Sequence, residues 1–235
     1  MRVNKRIEMG WSRALVTLAL GWSFLTSPAA AELSLSQLVV ELAPDAKAGD
    51  VEIFNDSAER MFVVADPREI LDPGLPTQHS RVSPDPAVLG LLVSPRRMIL
   101  EPGQRRTLRV AKLKADDVTE RIYRVTVKPV VGDVSASDSG LKLLVGYDLL
   151  VIARPGSAKP DLKVRRTEQE VVISNQGNAS VELTQGKRCS TVRSICEPLP
   201  PKRLYAGATW QIPITPTDSG SYKVRTSQGW SELKF

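Results

Sequence analysis

The chain has 235 residues, a formal net charge of +6 at pH 7, and a quarter of its residues are charged. This length accommodates one large domain or two ordinary ones. The charges are dispersed, with no run of five like charges and no interleaving of basic and aromatic residues, so nothing in the pattern favours a nucleic-acid partner.

Residues 1–31 have the pattern of a secretory signal peptide. A start with four basic residues and one acidic residue accompanies an apolar run at residues 14–25, and the alanines at residues 29–31 offer a cleavage site. The run is too short to span a bilayer, and an N-terminal membrane anchor is the alternative. The leader carries +3 of the net charge, which leaves a mildly basic mature chain at +3. We expect an exported protein with no membrane insertion.

Short apolar segments separated by turn signals follow the leader, and none has a sustained helical period. Strands every eight to twelve residues with Pro/Gly turns predict an all-β chain built from β-sandwiches. A proline-rich loop is expected at residues 66–86. The first group of predicted strands covers residues 33–42, 51–54, 61–65, 91–95, 98–100, 107–110, 121–131 and 141–155.

The segment 141–155 predicts an unusually long strand. Leu141, Leu143 and Val145 alternate with other residues, and the strand ends at Arg154, before a proline that has no N–H for a sheet ladder. Fifteen residues is about twice the usual strand length. The segment is therefore either a long core strand or an edge that lends apolar side chains to another polypeptide.

A linker is expected at residues 155–160, which read Pro-Gly-Ser-Ala-Lys-Pro. It divides the exported chain into a first domain at residues 32–155 and a smaller second domain at residues 156–235. The sequences of the two halves show no convincing internal repeat. The second group of predicted strands covers residues 162–166, 170–174, 180–183, 203–205, 210–214, 221–224 and 230–235.

The only two cysteines, Cys189 and Cys196, lie in the second domain. In an exported chain such a nearby pair indicates a structural disulfide, which would stabilise a small core by roughly 2–3 kcal/mol. A metal pair would lack partners, because the single histidine, His79, is distant in sequence. A redox pair would have the two-residue spacing, which these cysteines do not have. We expect no metal and no cofactor.

Patterns of catalysis are not found in the sequence. There is no Gly-x-Ser-x-Gly motif and no phosphate-binding glycine loop. A Ser-His-Asp triad would have to use His79, which lies in the proline-rich loop without a supporting pattern. The 25 acidic residues of the mature chain are too many for a carboxylate pair to be informative. We therefore predict a protein that is not an enzyme.

Three segments in order carry a resemblance to a known family. Residues 92–110 contain Leu-Val-Ser-Pro, Leu-Glu-Pro-Gly and Leu-Arg-Val; residues 120–125 read Glu-Arg-Ile-Tyr-Arg-Val; residues 141–155 run from Leu-x-Leu-x-Val to Arg-Pro. Together they resemble the PapD-like periplasmic chaperones of pilus and fimbria assembly, over nearly all of the first domain. The second domain fits by its size, its position and its cysteine pair.

The resemblance implies two immunoglobulin-like domains that meet at an angle, as in a boomerang, in a periplasmic protein. The first domain would complete the fold of a pilus subunit through donor-strand complementation, until an outer-membrane usher takes the subunit. Leu141, Leu143 and Val145 would be the donor side chains, with plain core packing as the alternative. Whether a dimer caps the edge of the free protein is left open.

The resemblance also implies a buried salt bridge between Glu120 and Arg154 near the domain junction, with a third, acidic member that the sequence does not locate. Two solvated charges are the alternative. Such a network is expected to set the angle between the domains more than to add net stability.

One departure from the family concerns the cations that hold the carboxyl terminus of the subunit. Alignment on the Arg-Pro pair places Leu150 at the position of the family's lysine, and the arginine position falls near Val39. The chain is thus similar to a divergent, alternate-type branch. Lys128, Arg96 and Arg97 are the candidates for a relocated carboxylate anchor.

A second function remains open from the sequence. The chain is also compatible with an exported immunoglobulin-like binding or adhesion module that recognises a ligand through loops. In that case residues 66–86 would carry the binding.

Overall fold

The computed structural model describes residues 33–113, 118–130, 144–190, 192 and 195–235. Within these ranges the chain is almost entirely strand, and the strands form four sheets. Two sheets come from each half of the chain, which confirms the predicted all-β fold with two sandwiches. No helix among the described residues is long and apolar enough to cross a membrane.

The first sandwich pairs sheet A, in the order β1-β3-β8-β6, with sheet B, in the order β2-β10-β9-β4-β5; β7 also pairs with β4. Strands alternate between buried and exposed residues, so each sheet has one apolar face, and the two apolar faces meet. The strands are β1 (Leu33–Leu35), β2 (Val39–Leu42), β3 (Ala48–Asn55), β4 (Met61–Leu71), β5 (His79–Arg81), β6 (Leu91–Ser94), β7 (Arg97–Leu100), β8 (Arg105–Lys112), β9 (Arg121–Val130) and β10 (Tyr147–Ala153).

A single helical turn, α1 (Pro86–Leu89), precedes β6. The Asp85 carboxylate accepts a hydrogen bond from the Ala87 N–H, and Gly90 ends the turn with a positive φ of 81°. The proline-rich segment 66–86 is therefore not one loop. Its first six residues continue β4, and β5 follows within it.

The predicted strand at residues 33–42 is two strands in different sheets. β1 pairs antiparallel with β3 in sheet A, whereas β2 pairs parallel with β10 in sheet B. The chain changes sheets between Leu35 and Val39. A continuous apolar pattern cannot reveal this change, because both strands turn apolar residues to the same core.

The predicted strand at residues 141–155 is shorter in the part that the structure describes. β10 begins at Tyr147, and residues 144–146 lie outside it. A Cβ on Gly146 would lie 2.9 Å from the Lys128 Cβ and 3.3 Å from the Val127 carbonyl oxygen, so Gly146 packs against β9 without room for a side chain. Leu141 and Leu143 lie outside the described residues.

The second sandwich pairs sheet C, in the order β11-β12-β16, with sheet D, in the order β14-β13-β17-β18; β15 also pairs with β13. The predicted disulfide is present and joins Cys189 to Cys196, which face each other across β13 and β14. The strands are β11 (Leu162–Arg166), β12 (Glu170–Asn175), β13 (Val181–Ser190), β14 (Ile195–Leu199), β15 (Lys202–Leu204), β16 (Thr209–Pro213), β17 (Asp218–Thr226) and β18 (Gly229–Lys234).

The two sandwiches share a strand-pairing scheme that the sequence did not reveal. β3 pairs with β8 and β4 pairs with β7 in the first sandwich; β12 pairs with β16 and β13 pairs with β15 in the second. β4–β9–β10 likewise corresponds to β13–β17–β18. The two halves therefore share a scheme of strand pairing although their sequences show no convincing repeat, because the correspondence lies in the pairing of strands and not in matching residues.

Candidate functional site

The central feature of the site is an edge of β10 that is covered along only part of its length. β9 pairs with all of β10, from Tyr147 to Ala153. On the other flank, pairing with β2 begins only at Leu150, whose N–H donates to the Leu38 carbonyl at 2.9 Å. Within the described part of the chain, residues 147–149 therefore have a strand partner on one side only. An edge of this kind is a template for a strand of another chain.

A line of apolar side chains leaves the core along this edge. Leu149 is completely buried, Tyr147 is partly buried against the same core, and Val145 is 47% exposed. Leu149 and Tyr147 are two residues apart in β10, which places their side chains on one face, and Val145 lies two residues before the start of the strand. Val145 is thus open to a visiting chain. The other two predicted donors, Leu141 and Leu143, lie outside the described residues.

Tyr147 closes the end of the sandwich next to this edge. Its hydroxyl donates to the Leu33 carbonyl at 2.7 Å, which links sheet B to β1 in sheet A. Two further apolar residues, Leu38 and Val39, are exposed where the covering strand β2 begins. The open edge is thus bordered by apolar surface at the place where an added strand would meet β2.

One row of residues crosses sheet B at the end of the open edge. Val39 faces Leu150, Leu150 faces Arg124, and Arg124 faces Arg68. The two positions at which the family's cations are expected are therefore neighbours, and both are apolar. The nearest cations in the row are the two arginines on β9 and β4, which the sequence analysis did not single out.

The two arginines already hold a carboxylate of this chain. Both oxygens of Asp148 accept hydrogen bonds from Arg68 at 2.9 Å, and the Arg124 Nε lies 3.8 Å from the same carboxylate. The Thr126 hydroxyl donates to it at 3.2 Å. Two guanidinium groups share one carboxylate, so the cluster keeps one excess positive charge and a geometry suited to carboxylates.

The three predicted anchor residues lie further along the sheet. Arg97 and Lys128 flank Val64 in one row. Lys128 is four residues from Arg124 on β9, or about 13 Å along the strand. Arg96 is paired with Asp66 at 3.3 Å. None of the three is in the row of Leu150.

Glu120 and Arg154 lie in contact at the junction of the two sandwiches, and both are buried. The Glu120 carboxylate also accepts hydrogen bonds from the Ser180 N–H at 3.0 Å and the Ser180 hydroxyl at 3.1 Å. Arg154 donates to the Ser180 carbonyl at 3.1 Å. The pair at the end of the first sandwich is therefore bonded directly to the segment that precedes β13.

A further acid in this network is Glu41 on β2, whose carboxylate accepts from Arg154 at 3.0 Å. Glu41 and Glu182 are bridged by two arginines of the second sandwich. Arg203 lies 3.7 Å from Glu41 and 3.5 Å from Glu182, and Arg225 lies 3.1 Å and 2.8 Å from them. The result is a closed ring of alternating charges across the junction.

The pKa of Glu41 is below its usual value. Burial alone would raise it, but the hydrogen bond from Arg154 and the positive charges of Arg154, Arg203 and Arg225 more than offset that effect. The carboxylate is consequently ionised throughout the neutral range, which the ring requires.

Apolar contacts accompany the ring. Ile122, Leu150 and Ile152 turn away from the core of the first sandwich and form their own cluster, against which Tyr205 of the second sandwich packs. Burial raises the pKa of the Tyr205 hydroxyl. On the same side, Gly74, in the β4–β5 connection, lies close to Tyr205, since a Cβ there would be 3.3 Å from its ring.

Known structures identify this architecture. The class 5 fimbriae chaperone CfaA matches with a TM-score of 0.66 and 17% identity, over 86% of this chain and 98% of that chain. A chain of a chaperone–tip adhesin complex of CFA/I fimbriae biogenesis matches with a TM-score of 0.63 and 16% identity, over 86% and 97%. The chain has the fold of the fimbrial chaperones.

Sequence comparison also finds a protein of fimbriae. A CS1 fimbrial subunit of Escherichia coli is 24% identical over 163 residues, which cover 65% of this chain and 68% of that protein. No family model matches the chain. The predicted resemblance to PapD-like chaperones is thus confirmed for the fold.

The fimbrial chaperone fold explains why parts of the site were not found from sequence. Glu41 lies on the outer face of β2, and only the parallel register with β10 brings it opposite Ile152 and next to Arg154. Arg68 and Arg124 become neighbours of Leu150 only through two antiparallel registers. The one local feature that places Glu41 on the outer face is the alternation of buried and exposed residues along β2. The described residues contain no group of three or more His, Cys, Asp or Glu side chains that could hold a metal ion.

Proposed function

We propose that the protein is a periplasmic chaperone that binds fimbrial subunits by lending them the edge of β10, and passes them to an outer-membrane usher. The observation that carries the proposal is the half-covered flank of β10, from which apolar side chains leave the core on one face. The similar solved structures support it, because one is a fimbriae chaperone and another is a complex of a chaperone with a tip adhesin.

The name of the E. coli relative, a fimbrial subunit, points to a second class of protein. Two features favour a chaperone over a structural subunit. The chain folds as two sandwiches that match 98% of a chaperone chain. Its free edge also belongs to a sandwich in which, among the described residues, both sheets contribute to one buried apolar cluster, so the edge is available to be given.

The proposed donation has a clear energetic basis. A strand added to β10 gains main-chain hydrogen bonds along the edge, and alternate side chains enter the partner's groove. Leu141, Leu143 and Val145 are the proposed donors, and complete burial of each would contribute roughly 1.5–3 kcal/mol. A strand that continues the line of Leu149 and Tyr147 into the partner would join the two cores.

The test replaces one donor by a charge. Val145→Glu should prevent recovery of the subunit that co-purifies with the wild-type chain from the periplasm, because the partner's groove cannot solvate a carboxylate. Val82→Glu is the matched control, since Val82 is 73% exposed and follows β5, which is three strands away from β10 in sheet B. Equal recovery of the subunit with wild type and Val145→Glu would refute the donor role.

The same pair of variants tests recognition through loops. A binding module of that kind would lose its ligand with Val82→Glu and keep it with Val145→Glu. The structure gives this alternative little support, because the tip of the segment 66–86 packs on the second sandwich through Gly74 and Leu75.

The location of the carboxylate anchor belongs to the same proposal. An added strand that follows the line of β2 would end near Leu150, beside Arg124 and Arg68. If the anchor lies beside Leu150, Arg124→Ala should reduce recovery of the subunit and Lys128→Ala should not. The opposite result would favour the position of Lys128, further along the sheet. The cations proposed from the sequence are Lys128, Arg96 and Arg97.

The remaining parts of the proposal follow the domain organisation. Residues 1–31 would be removed on export to the periplasm, residues 32–155 would form the subunit-binding domain, and residues 156–235 would form the second domain. The ring at the junction would fix the relative position of the two. A dimer that caps β10 in the free protein is a further element, and the molar mass of the free chain in solution tests it.

A further inference from the structure

Trp230 is an exposed aromatic residue on β18, the last strand of sheet D. Its side chain is 63% exposed. The other tryptophan of the second sandwich, Trp210, is partly buried and lies under the Lys202 ammonium group, 4.6 Å from the ring centroid. Large apolar side chains on a protein surface often mark contact sites. The exposed Trp230 indole therefore indicates a contact site, in contrast to the partly buried Trp210.

Trp230 stands at the end of the row that forms the junction. Directly paired residues in neighbouring strands have side chains on the same face. Trp230 pairs with Arg225, Arg225 pairs with Glu182, and Glu182 pairs with Arg203. The indole therefore lies on the face of sheet D that carries the ionic ring.

The same row leads from Trp230 to the open edge of the first sandwich. Arg225, the neighbour of Trp230, lies 3.1 Å from Glu41 of β2. Glu41 follows Val39 by two residues, so both are on the outer face of β2. Val39 is exposed where the uncovered flank of β10 ends. Trp230 is thus one strand spacing, one ion pair and two residues from that end, or roughly 20 Å.

A concave surface accompanies Trp230 on this face. It has a volume of about 580 Å³ and is lined by Trp230, Ser231, Glu232, Lys223 and Gln185. Lys223 faces Glu232 across β17 and β18, but the Glu232 carboxylate pairs with Lys234 at 3.4 Å. Within the described residues the ammonium group of Lys223 forms no ion pair, so the surface offers an indole next to a cation. Its complement is an apolar side chain with a carboxylate close by.

Whether a partner bound to β10 also reaches the surface around Trp230 depends on the size of that partner. A domain of about 100 residues has a radius of gyration near 13 Å, so it is roughly 30 Å or more across. A folded domain that is held on the edge of β10 therefore extends beyond the distance to Trp230, whereas a single short strand on that edge does not.

We propose that Trp230 and Lys223 form a second contact, on the second sandwich, for the folded domain that β10 holds. This inference rests on the proposed function. The partner presents an apolar side chain to the indole and a carboxylate to the ammonium group. Tryptophan at the centre of such a contact typically carries a large share of the binding energy.

The experiment uses the exported chain labelled with 5-fluorotryptophan and the subunit that co-purifies with wild type, identified by its mass and unlabelled. Trp210 and Trp230 are the only tryptophans beyond residue 31, so fluorine NMR gives one resonance for each. In the complex the Trp230 resonance should shift and the Trp210 resonance should stay. Trp230→Ala should release the subunit at least tenfold faster, with Val164→Ala, an exposed apolar residue on β11 of sheet C, as the control.

The outcomes separate this inference from the proposed function. A complex that forms while the Trp230 resonance stays in place, and that Trp230→Ala releases at the wild-type rate, overturns the second contact and leaves donation by β10 intact. A shift of Trp230 that depends only on the concentration of this chain assigns the surface to a second copy and also overturns it. If wild type binds no subunit, the proposed function fails and the second contact fails with it.

Discussion

The two sandwiches contain the same buried asparagine, and its surroundings differ in an instructive way. Asn55 ends β3, and its side-chain amide donates to the Leu100 carbonyl at 3.0 Å. Asn175 ends β12, and its amide donates to the Leu204 carbonyl at 3.1 Å. In each case the backbone carbonyl of the asparagine accepts from a glycine N–H, of Gly103 at 3.0 Å or Gly207 at 2.8 Å.

The turn that follows this asparagine has a different use in each sandwich. After Asn55 it faces solvent, and the nearby ion pair of Arg60 with Glu101 is exposed. After Asn175 it enters the junction, where Ser180 binds Glu120. The Asn178 amide also donates to the Val118 carbonyl at 2.7 Å. The same type of turn, held by equivalent hydrogen bonds, is exposed to solvent in the first sandwich and contacts the other sandwich in the second.

The largest difference between the two turns should appear in the free energy of unfolding when a charged residue next to each turn is replaced. Glu120→Ala removes one member of a buried pair and leaves Arg154 under-compensated, which should lower the free energy of unfolding by about 3–5 kcal/mol. Glu101→Ala breaks the exposed pair and should cost about 1 kcal/mol or less. Urea unfolding of both variants measures the contrast. Equal losses would mean that the two turns are not used differently.

A smaller effect is expected from the asparagines. Asn55→Ala and Asn175→Ala each leave buried carbonyl groups without a donor, so each should lower the free energy of unfolding by about 2–3 kcal/mol. Only Asn175→Ala should also loosen the junction. Amide hydrogen exchange at Ser180, whose N–H is bound by Glu120, should quicken in Asn175→Ala and not in Asn55→Ala. Unchanged exchange in both would show that the second turn docks without its asparagine.

The smallest expected effect is on the pH dependence of stability. Because the folded pKa of Glu41 is lower than its unfolded value, its contribution is fully present above the ordinary glutamate pKa of 4.5 and is lost as the pH falls through the folded value. Stability measured from pH 6 to pH 3 should therefore decline more steeply in wild type than in Glu41→Gln. A parallel decline would show that the ring does not depend on this charge.

Most of the strands can be predicted from the sequence alone, but little of the site can. Alternation is local, so β3, β9 and β12 were predicted within a few residues of their observed bounds. The exchange of sheets between β1 and β2 was not predicted, because the apolar pattern is the same on either side of it. The start of β10 depends on the contact of Gly146 with Lys128, which is a tertiary feature.

The charged residues show the same limit. Glu120 and Arg154 were singled out through the resemblance, whereas Glu41, Arg203 and Arg225 were not. Their ring unites residues more than 180 positions apart, and nothing in the local pattern distinguishes them from solvated charges. The shared asparagine turn was also missed, because few side chains around it match between the two halves.

The early exchange of sheets has a consequence for the chain's ability to close its own gap. Continued in the same parallel register, residues 36–38 are the ones that would lie beside residues 147–149. The Ser36 N–H instead donates to the Glu52 carbonyl at 3.0 Å, and the Glu52 N–H donates to the Ser36 hydroxyl at 3.0 Å, so this segment is held on β3 of the other sheet. Covering residues 147–149 with this segment would break its hydrogen bonds to β3. Within the described residues, the connectivity of the chain therefore leaves this flank of β10 open.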